Sequence, residues 1–187
     1  MSYHVKLLLL GSSGVGKTTL LNRWTSSNLL CDPTFAIEVT SHSIKLQERV
    51  IRVRVSDTCG REPYDGIYDG YIYDTDAIVL VYDTSDMDSW FKCKYWMKKI
   101  ISQDDLDKPI FLIGNKIDRE SKRIVYREDV STYVNNCAMN VVYTAECSAR
   151  TGENARETYR MILNSLEIPE RHVWYERDEQ SSLCKIV

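Results

Sequence analysis

Three short stretches combine residue types and spacing suited to holding a phosphate chain and a purine base. GSSGVGKT, at 11–18, matches the pattern G-x-x-x-x-G-K-[ST] between a strand-like run and a helix-like run. Gly11, Gly14 and Gly16 let backbone N–H groups curl around an anion at a helix start. Ser12, Ser13 and Val15 complete the loop, Lys17 sets a cation on the outer phosphates, and the Thr18 hydroxyl can ligate Mg²⁺, with Thr19 next in line. The bland alternative is a glycine-rich turn, which leaves the order strand, loop, helix without a reason. NKID, at 115–118, ends another apolar run. The Asp118 carboxylate offers two acceptors, matching the N1–H and exocyclic amine of guanine. Adenine presents an acceptor at N1, and a mismatch of that kind can discriminate by ~10⁴ or more. Asn115 is placed to tie this loop to the phosphate loop, and the Lys116 stem to lie along the base. In ECSA, at 146–149, Ser148 can brace Asp118 and the Ala149 N–H can meet the guanine O6, with Arg150 following. Alone, NKID reads as a solvated turn and ECSA means little. About a hundred residues beyond a phosphate loop, NKID becomes a strong signal.

The elements that position these loops are legible in hydrophobic patterning. Val5–Leu10, AIVLVYD (77–83) and IFLIGNK (110–116) are continuous apolar runs, the profile of strands buried on both faces. IRVRVSD (51–57) alternates Ile51, Val53 and Val55 with Arg52 and Arg54, a strand with one wetter face. SIKLQERVIRVRV reads as two strands joined by a short polar turn, an antiparallel hairpin. VVYTAECSA (141–149) is the last strand expected. Helices are expected over Thr19–Thr25, over DSWFKCKYWMKKII with Phe91, Tyr95, Met97 and Ile101 as its apolar stripe, and around Val130, Tyr133, Val134, Cys137 and Ala138. A final helix carries Ala155, Tyr159, Ile162, Leu163 and Leu166, and Pro169 stops it. Strands alternating with helices imply an α/β fold: a mostly parallel six-stranded sheet with one antiparallel strand and helices on both faces. Ligands in such sheets sit beyond the carboxyl ends of strands, where the polar loops lie. Residues 170–183 show no sustained periodicity and are expected to be disordered.

Bulk numbers narrow the class. A chain of 187 residues suits one domain, and 43% hydrophobic with 27% charged residues is a soluble globular composition. The net charge of −3, with no basic run, gives no nucleic-acid signature. The six cysteines form no CxxC pairs and read as free thiols in a reducing compartment. VKLLLLG is too short to span a bilayer.

From about residue 5 to 168, GSSGVGKT, DTCGRE (57–62), NKID and ECSA stand in the order and approximate spacing of the Ras superfamily of small GTPases, which this chain resembles. The resemblance implies a P-loop NTPase G-domain over 1–168, a flexible tail over 169–187, and a GTP-hydrolysing switch that binds Mg²⁺ with GTP or GDP. It implies Thr34, in DPTF, as the threonine that ligates Mg²⁺ and senses the γ-phosphate; the alternative is a turn hydroxyl after Pro33. It implies Asp57 holding Mg²⁺ through water and the Gly60 amide on the γ-phosphate, so that Lys17, Gly60 and residue 61 form the catalytic set. Effector, exchange and activating proteins are implied to bind through 28–38 and 57–74. Ser12-Ser13 and Trp96 look more like the Rab branch, TFAIEV only loosely so, and the reading is a divergent Ras- or Rab-like protein.

Four departures from that family bear on function. The aromatic residue that closes over guanine is missing, with Leu29 or Leu30 the nearest substitute, so the lid lacks aromatic stacking. Cys59 replaces a small alanine, crowding the γ-phosphate loop or packing inertly. Arg61 stands where the family has its water-positioning glutamine, which predicts impaired hydrolysis. The alternative function is a constitutively GTP-loaded pseudo-GTPase acting as a binding module or scaffold. The last four residues, CKIV, fit C-a-a-X loosely. Prenylation at Cys184 would make the protein cytoplasmic and peripheral on the cytoplasmic face of a membrane; the alternative is an unmodified cysteine. One lipid chain beside an acidic tail binds a membrane only marginally and reversibly.

Overall fold

The computed structural model describes residues 2–25, 34, 36–46, 48–60, 65–101, 108–137, 140–166 and 170–171. In chain order these form β1 (Ser2–Leu10), α1 (Lys17–Thr25), β2 (Ile37–Leu46), β3 (Arg49–Thr58), α2 (Asp65–Tyr73), β4 (Ala77–Asp83) and α3 (Met87–Ile101). β5 (Ile110–Asn115), a 3-10 segment (Ile117–Lys122), α4 (Arg127–Asn135), β6 (Val141–Glu146), α5 (Ala155–Ser165) and β7 (Glu170–Arg171) follow.

β1 shows why the sheet is two-sided. Leu7, Leu8, Leu9 and Leu10 are at most 1% exposed, so each face of the strand needs its own cover. Period-two alternation sorts them. Leu7 and Leu9 pack with Trp24 of α1 and Tyr159 and Ile162 of α5. Leu8 and Leu10 pack with Trp90, Trp96 and Ile100 of α3 on the opposite face. The six long strands run in the order β2-β3-β1-β4-β5-β6. All neighbours are parallel except β2 and β3, which form the expected hairpin with Leu46 opposite Arg49. Ile51, Val53 and Val55 of β3 are buried while Arg54 is exposed, the wetter face anticipated from the alternation. Among the described residues Cys93, Cys137 and Cys147 are free thiols, and no described helix is long and apolar enough to cross a membrane.

Several expectations need correction. On α3, Phe91 and Tyr95 are 55% and 44% exposed; the buried stripe is Trp90, Cys93, Trp96, Met97 and Ile100, and Ile101 is only partly covered. The rings left outside are shielded by lysines, with Lys94 Nζ 5.2 Å from the Phe91 ring centre and Lys92 Nζ 4.3 Å from that of Tyr95. α4 ends at Asn135, so Cys137 lies past its end, and of the expected stripe only Val130 is fully buried; Ala138 is outside the described residues. α1 begins at Lys17, two residues earlier than expected, β5 stops at Asn115, and β6 stops at Glu146, leaving Ser148 and Ala149 in a loop. Glu170 and Arg171, expected to be disordered, pair antiparallel with Tyr3 and Ser2 and add a seventh, two-residue strand. Their backbone takes the edge of β1 that β4, whose pairing begins at Leu7, leaves open. The remainder of 170–183 lies outside the described residues.

Candidate functional site

The phosphate loop leaves β1 at Gly11 and enters α1 at Lys17, beyond the carboxyl end of a central strand. Gly16 must be glycine twice over: its φ is +96°, and a Cβ would lie 2.5 Å from Asn115 Nδ2. Lys17 is 4% exposed and its ammonium donates to the carbonyls of Gly11 (2.9 Å) and Ser12 (3.0 Å). Burial lowers its pKa to about 8, against the opposing pull of the Asp57 charge. The cation is therefore held inside the loop where an anion would restore its usual basicity.

Thr18, Thr34 and Asp57 converge from α1, the segment before β2, and β3. The Thr18 hydroxyl donates to Asp57 Oδ2 and lies 3.0 Å from Thr34 Oγ1, which is itself 3.3 Å from the same carboxylate oxygen. Asp57 is 1% exposed, and its Oδ1 has no hydrogen-bond partner among the described residues. Burial raises its pKa, opposed by the Thr18 hydrogen bond, Lys17 and Thr34. A buried carboxylate with one orphaned oxygen beside two hydroxyls suits a hard divalent cation. Mg²⁺ fits best, because it relies on one or two carboxylates plus phosphate and water oxygens rather than on an all-protein cage.

Gly60 closes the phosphate side. Its carbonyl accepts the Ser13 N–H at 3.1 Å, and its φ is +73°. A Cβ there would sit 2.3 Å from the Gly11 carbonyl oxygen and 2.6 Å from the Ser13 nitrogen, so the strand-end loop rests directly on the phosphate loop. Cys59 is buried, and its N–H donates to the Ala36 carbonyl at 2.9 Å, joining the segments that flank Thr34 and Gly60.

The base side is assembled by Asn115, 1% exposed at the end of β5. Its Nδ2 donates to the Val15 carbonyl (2.8 Å) and its Oδ1 accepts the Ala149 N–H (2.9 Å), so one side chain fastens three loops. The Ala149 N–H, expected to meet a guanine O6, donates to Asn115 here, so an O6 would share it. Ser148 braces Asp118 as expected, its hydroxyl donating to Oδ1 at 2.6 Å, and the Arg150 guanidinium stands 3.6 Å from Oδ2. Lys116 has a left-handed φ of 69°, which turns its chain back so that Nζ reaches the Gly14 carbonyl at 2.7 Å.

Lys116 also reveals a residue the motifs did not flag. Its Nζ lies 2.8 Å from Asp83 Oδ2 at the end of β4, and Arg119 is 3.7 Å away. Burial pushes the Asp83 carboxyl up, but Lys116 and the Ser85 hydroxyl and N–H together hold it below the usual range. Its place at a strand's carboxyl end was the available signal. Thr19 lies in the first turn of α1, with no contact to the rest of the site described for it. Leu29, Leu30, Arg61 and Cys184 fall outside the described residues.

The sequence model of the Ras family matches residues 6–168. The chain is 30% identical over 167 residues to Ras-related protein RABA2a of Arabidopsis thaliana, covering 86% of this chain and 77% of that protein. It is 32% identical over 170 residues to Ras-related protein RABC2b of the same plant, covering 88% and 80%. With four loops converging at the carboxyl ends of β1, β3, β5 and β6, and a family match spanning nearly the whole described chain, this protein belongs to the Ras family of small GTPases.

Proposed function

We propose that this protein is a guanine-nucleotide switch that binds Mg²⁺ with GTP or GDP and passes the state of its γ-phosphate to partners through 28–38 and 57–74. The observation that carries the reading is the Asn115 fastening, which holds a braced Asp118 carboxylate at a fixed offset from the phosphate loop. Asp118 then accepts from both guanine donors, Lys116 lies along the base and Lys17 meets the outer phosphates. Thr18, Thr34 and Asp57 would hold Mg²⁺, which when bound supplies charge stabilisation to the phosphates. Because Thr34 belongs to the segment before β2 and Gly60 to the one after β3, both flanks of the hairpin can register the γ-phosphate. The Rab names of the two relatives favour the Rab side of the Ras-or-Rab alternative. A thermal-shift titration with Mg²⁺ tests the reading: GTP and GDP should stabilise the protein strongly and ATP should not, and equal protection by ATP and GTP refutes it.

Arg61 favours slow intrinsic hydrolysis and keeps the constitutively loaded pseudo-GTPase as the second reading. A guanidinium has five donors and no acceptor, so it cannot orient the attacking water as a glutamine amide does. In single-turnover assays Arg61→Gln should raise the hydrolysis rate; a wild type as fast as that variant removes the defect. Prenylation of Cys184, and with it attachment to the cytoplasmic face of a membrane, rests on CKIV alone. An intact-mass measurement of protein from eukaryotic cells that finds no prenyl group refutes it.

A further inference from the structure

We propose that Arg23 is a positioning residue that sets the base loop relative to the phosphate loop, and so contributes to guanine discrimination; this rests on the guanine-nucleotide reading above. Arg23 lies in the last turn of α1, the helix whose first turn carries Lys17 and Thr18. Its Nε donates to the Ala149 carbonyl at 3.0 Å and its Nη2 to the Arg150 carbonyl at 2.6 Å. The flat guanidinium also lies against Gly152, where a Cβ would be 3.6 Å from Cζ, Nε and Nη1. Two donors on one rigid plane fix the direction of two successive carbonyls, which a single ammonium cannot do. Held outward on α1 by its carbonyl, Ala149 keeps its N–H on Asn115 Oδ1, on the side of the site.

The clamped loop is the one that braces the base-reading carboxylate. The Ser148 hydroxyl donates to Asp118 Oδ1 and accepts the Thr151 N–H at 3.0 Å, while the Gly152 N–H closes the turn on the Ser148 carbonyl at 2.8 Å. Asp118 therefore depends on a turn that the Arg23 fork fastens to α1. Since α1 is stiff, the same helix fixes the phosphate contacts at one end and the base loop at the other. No motif reports Arg23, because its partners are backbone carbonyls 126 and 127 residues away.

Arg23→Lys separates this role from helix stabilisation. It keeps a positive charge in the last turn of α1, which favours the helix dipole, but loses the planar fork. Both Arg23→Lys and Arg23→Ala should release a fluorescent GDP analogue about tenfold faster, the scale of one lost charge-assisted contact. They should also narrow the affinity gap between GDP and IDP, because hypoxanthine lacks the amine that a well-placed Asp118 accepts. If wild type shows no guanine preference, the nucleotide reading fails first. If wild type prefers GDP and Arg23→Ala keeps both its off-rate and its GDP-to-IDP ratio, Arg23 does not position the loop. If Arg23→Lys behaves as wild type while Arg23→Ala is impaired, charge at the helix end explains the effect and the proposal is overturned. Faster release of GDP and IDP by the same factor overturns it as well, since that is general loosening rather than base reading.

Discussion

His42 makes this fold acid-sensitive by an amount that can be worked out. The residue lies on β2 opposite Val53, is 8% exposed, and faces α5, where its Nε2 is 2.5 Å from the Tyr159 hydroxyl. Tyr159 is stacked on Trp24 at 4.7 Å, so the imidazole meets a packed aromatic pair. Its Nδ1 has no hydrogen-bond partner among the described residues. Among the described residues no charge compensates a protonated ring there, and burial lowers the His42 pKa to about 4 from 6.5. Between those values the unfolded chain takes up a proton that the folded chain refuses. Stability from this residue is thus complete above pH 6.5 and is lost as pH falls toward 4. From pH 7.5 to pH 5 the loss is about 2 kcal/mol, from roughly 1.5 units at 1.36 kcal/mol each. Carboxylates also titrate toward the acid end of this range, so the measurement is a difference. Urea unfolding of wild type and His42→Gln, both saturated with Mg²⁺ and GDP, is compared at each pH. Glutamine retains an acceptor for the Tyr159 hydroxyl and does not titrate. The stability difference should shift against wild type by about 2 kcal/mol between pH 7.5 and 5. A flat difference refutes the buried neutral histidine, and a shift in favour of wild type means the folded ring is charged.

Three further outcomes test the site. Asp118→Asn should move preference from guanine toward xanthine nucleotides, because an amide donates to the 2-oxo group; unchanged competition by XTP against a fluorescent GDP analogue counts against the base assignment. Gly60→Ala forces a Cβ to within 2.3 Å of the Gly11 carbonyl oxygen at a φ of +73°, where an L-residue already costs ~1–2 kcal/mol, so urea unfolding should show at least that loss of stability. Wild-type stability of that variant would mean the loop stands off the phosphate loop in solution. Leu29→Phe or Leu30→Phe should slow nucleotide release by restoring an aromatic face over the base, and stopped-flow traces that match wild type for both place the lid elsewhere.

The sheet was legible because its signals are local. Four consecutive leucines in β1 leave no face for water, and Ile51, Val53 and Val55 against Arg52 and Arg54 state which side of β3 is covered. α3 misled for the opposite reason: both candidate stripes have helical spacing and both contain aromatic rings. Choosing Trp90-Cys93-Trp96 over Phe91-Tyr95 depends on which face meets β4 and on lysine ammonium groups placed near the outer rings. β7 was invisible because a two-residue strand has no periodicity, only an open edge of β1 to fill.

The site divides along the same line between local and distant signals. Loops with a fixed internal spacing announced themselves, and the brace of Ser148 on Asp118 followed from their chemistry. Asp83, Arg23 and the engagement of the Ala149 N–H by Asn115 did not, since each is a contact between elements far apart in sequence. These unannounced contacts all lie on the base side. There, side chains bond backbone carbonyls of the phosphate loop and of the 148–152 turn, so protein contacts alone hold Asp118 and Asn115 in place. On the phosphate side, the contacts of Thr34 among the described residues are hydroxyl bonds to Thr18 and Asp57, and Asp57 has an oxygen without a partner among those residues. A hydroxyl bond contributes about 1 kcal/mol net, and about 1.5–3 kcal/mol where it meets a carboxylate, less than a metal ion and a phosphate can offer the same atoms. Under the proposed guanine-nucleotide reading, such an arrangement would let the base select the ligand while the γ-phosphate sets the position of the segment before β2.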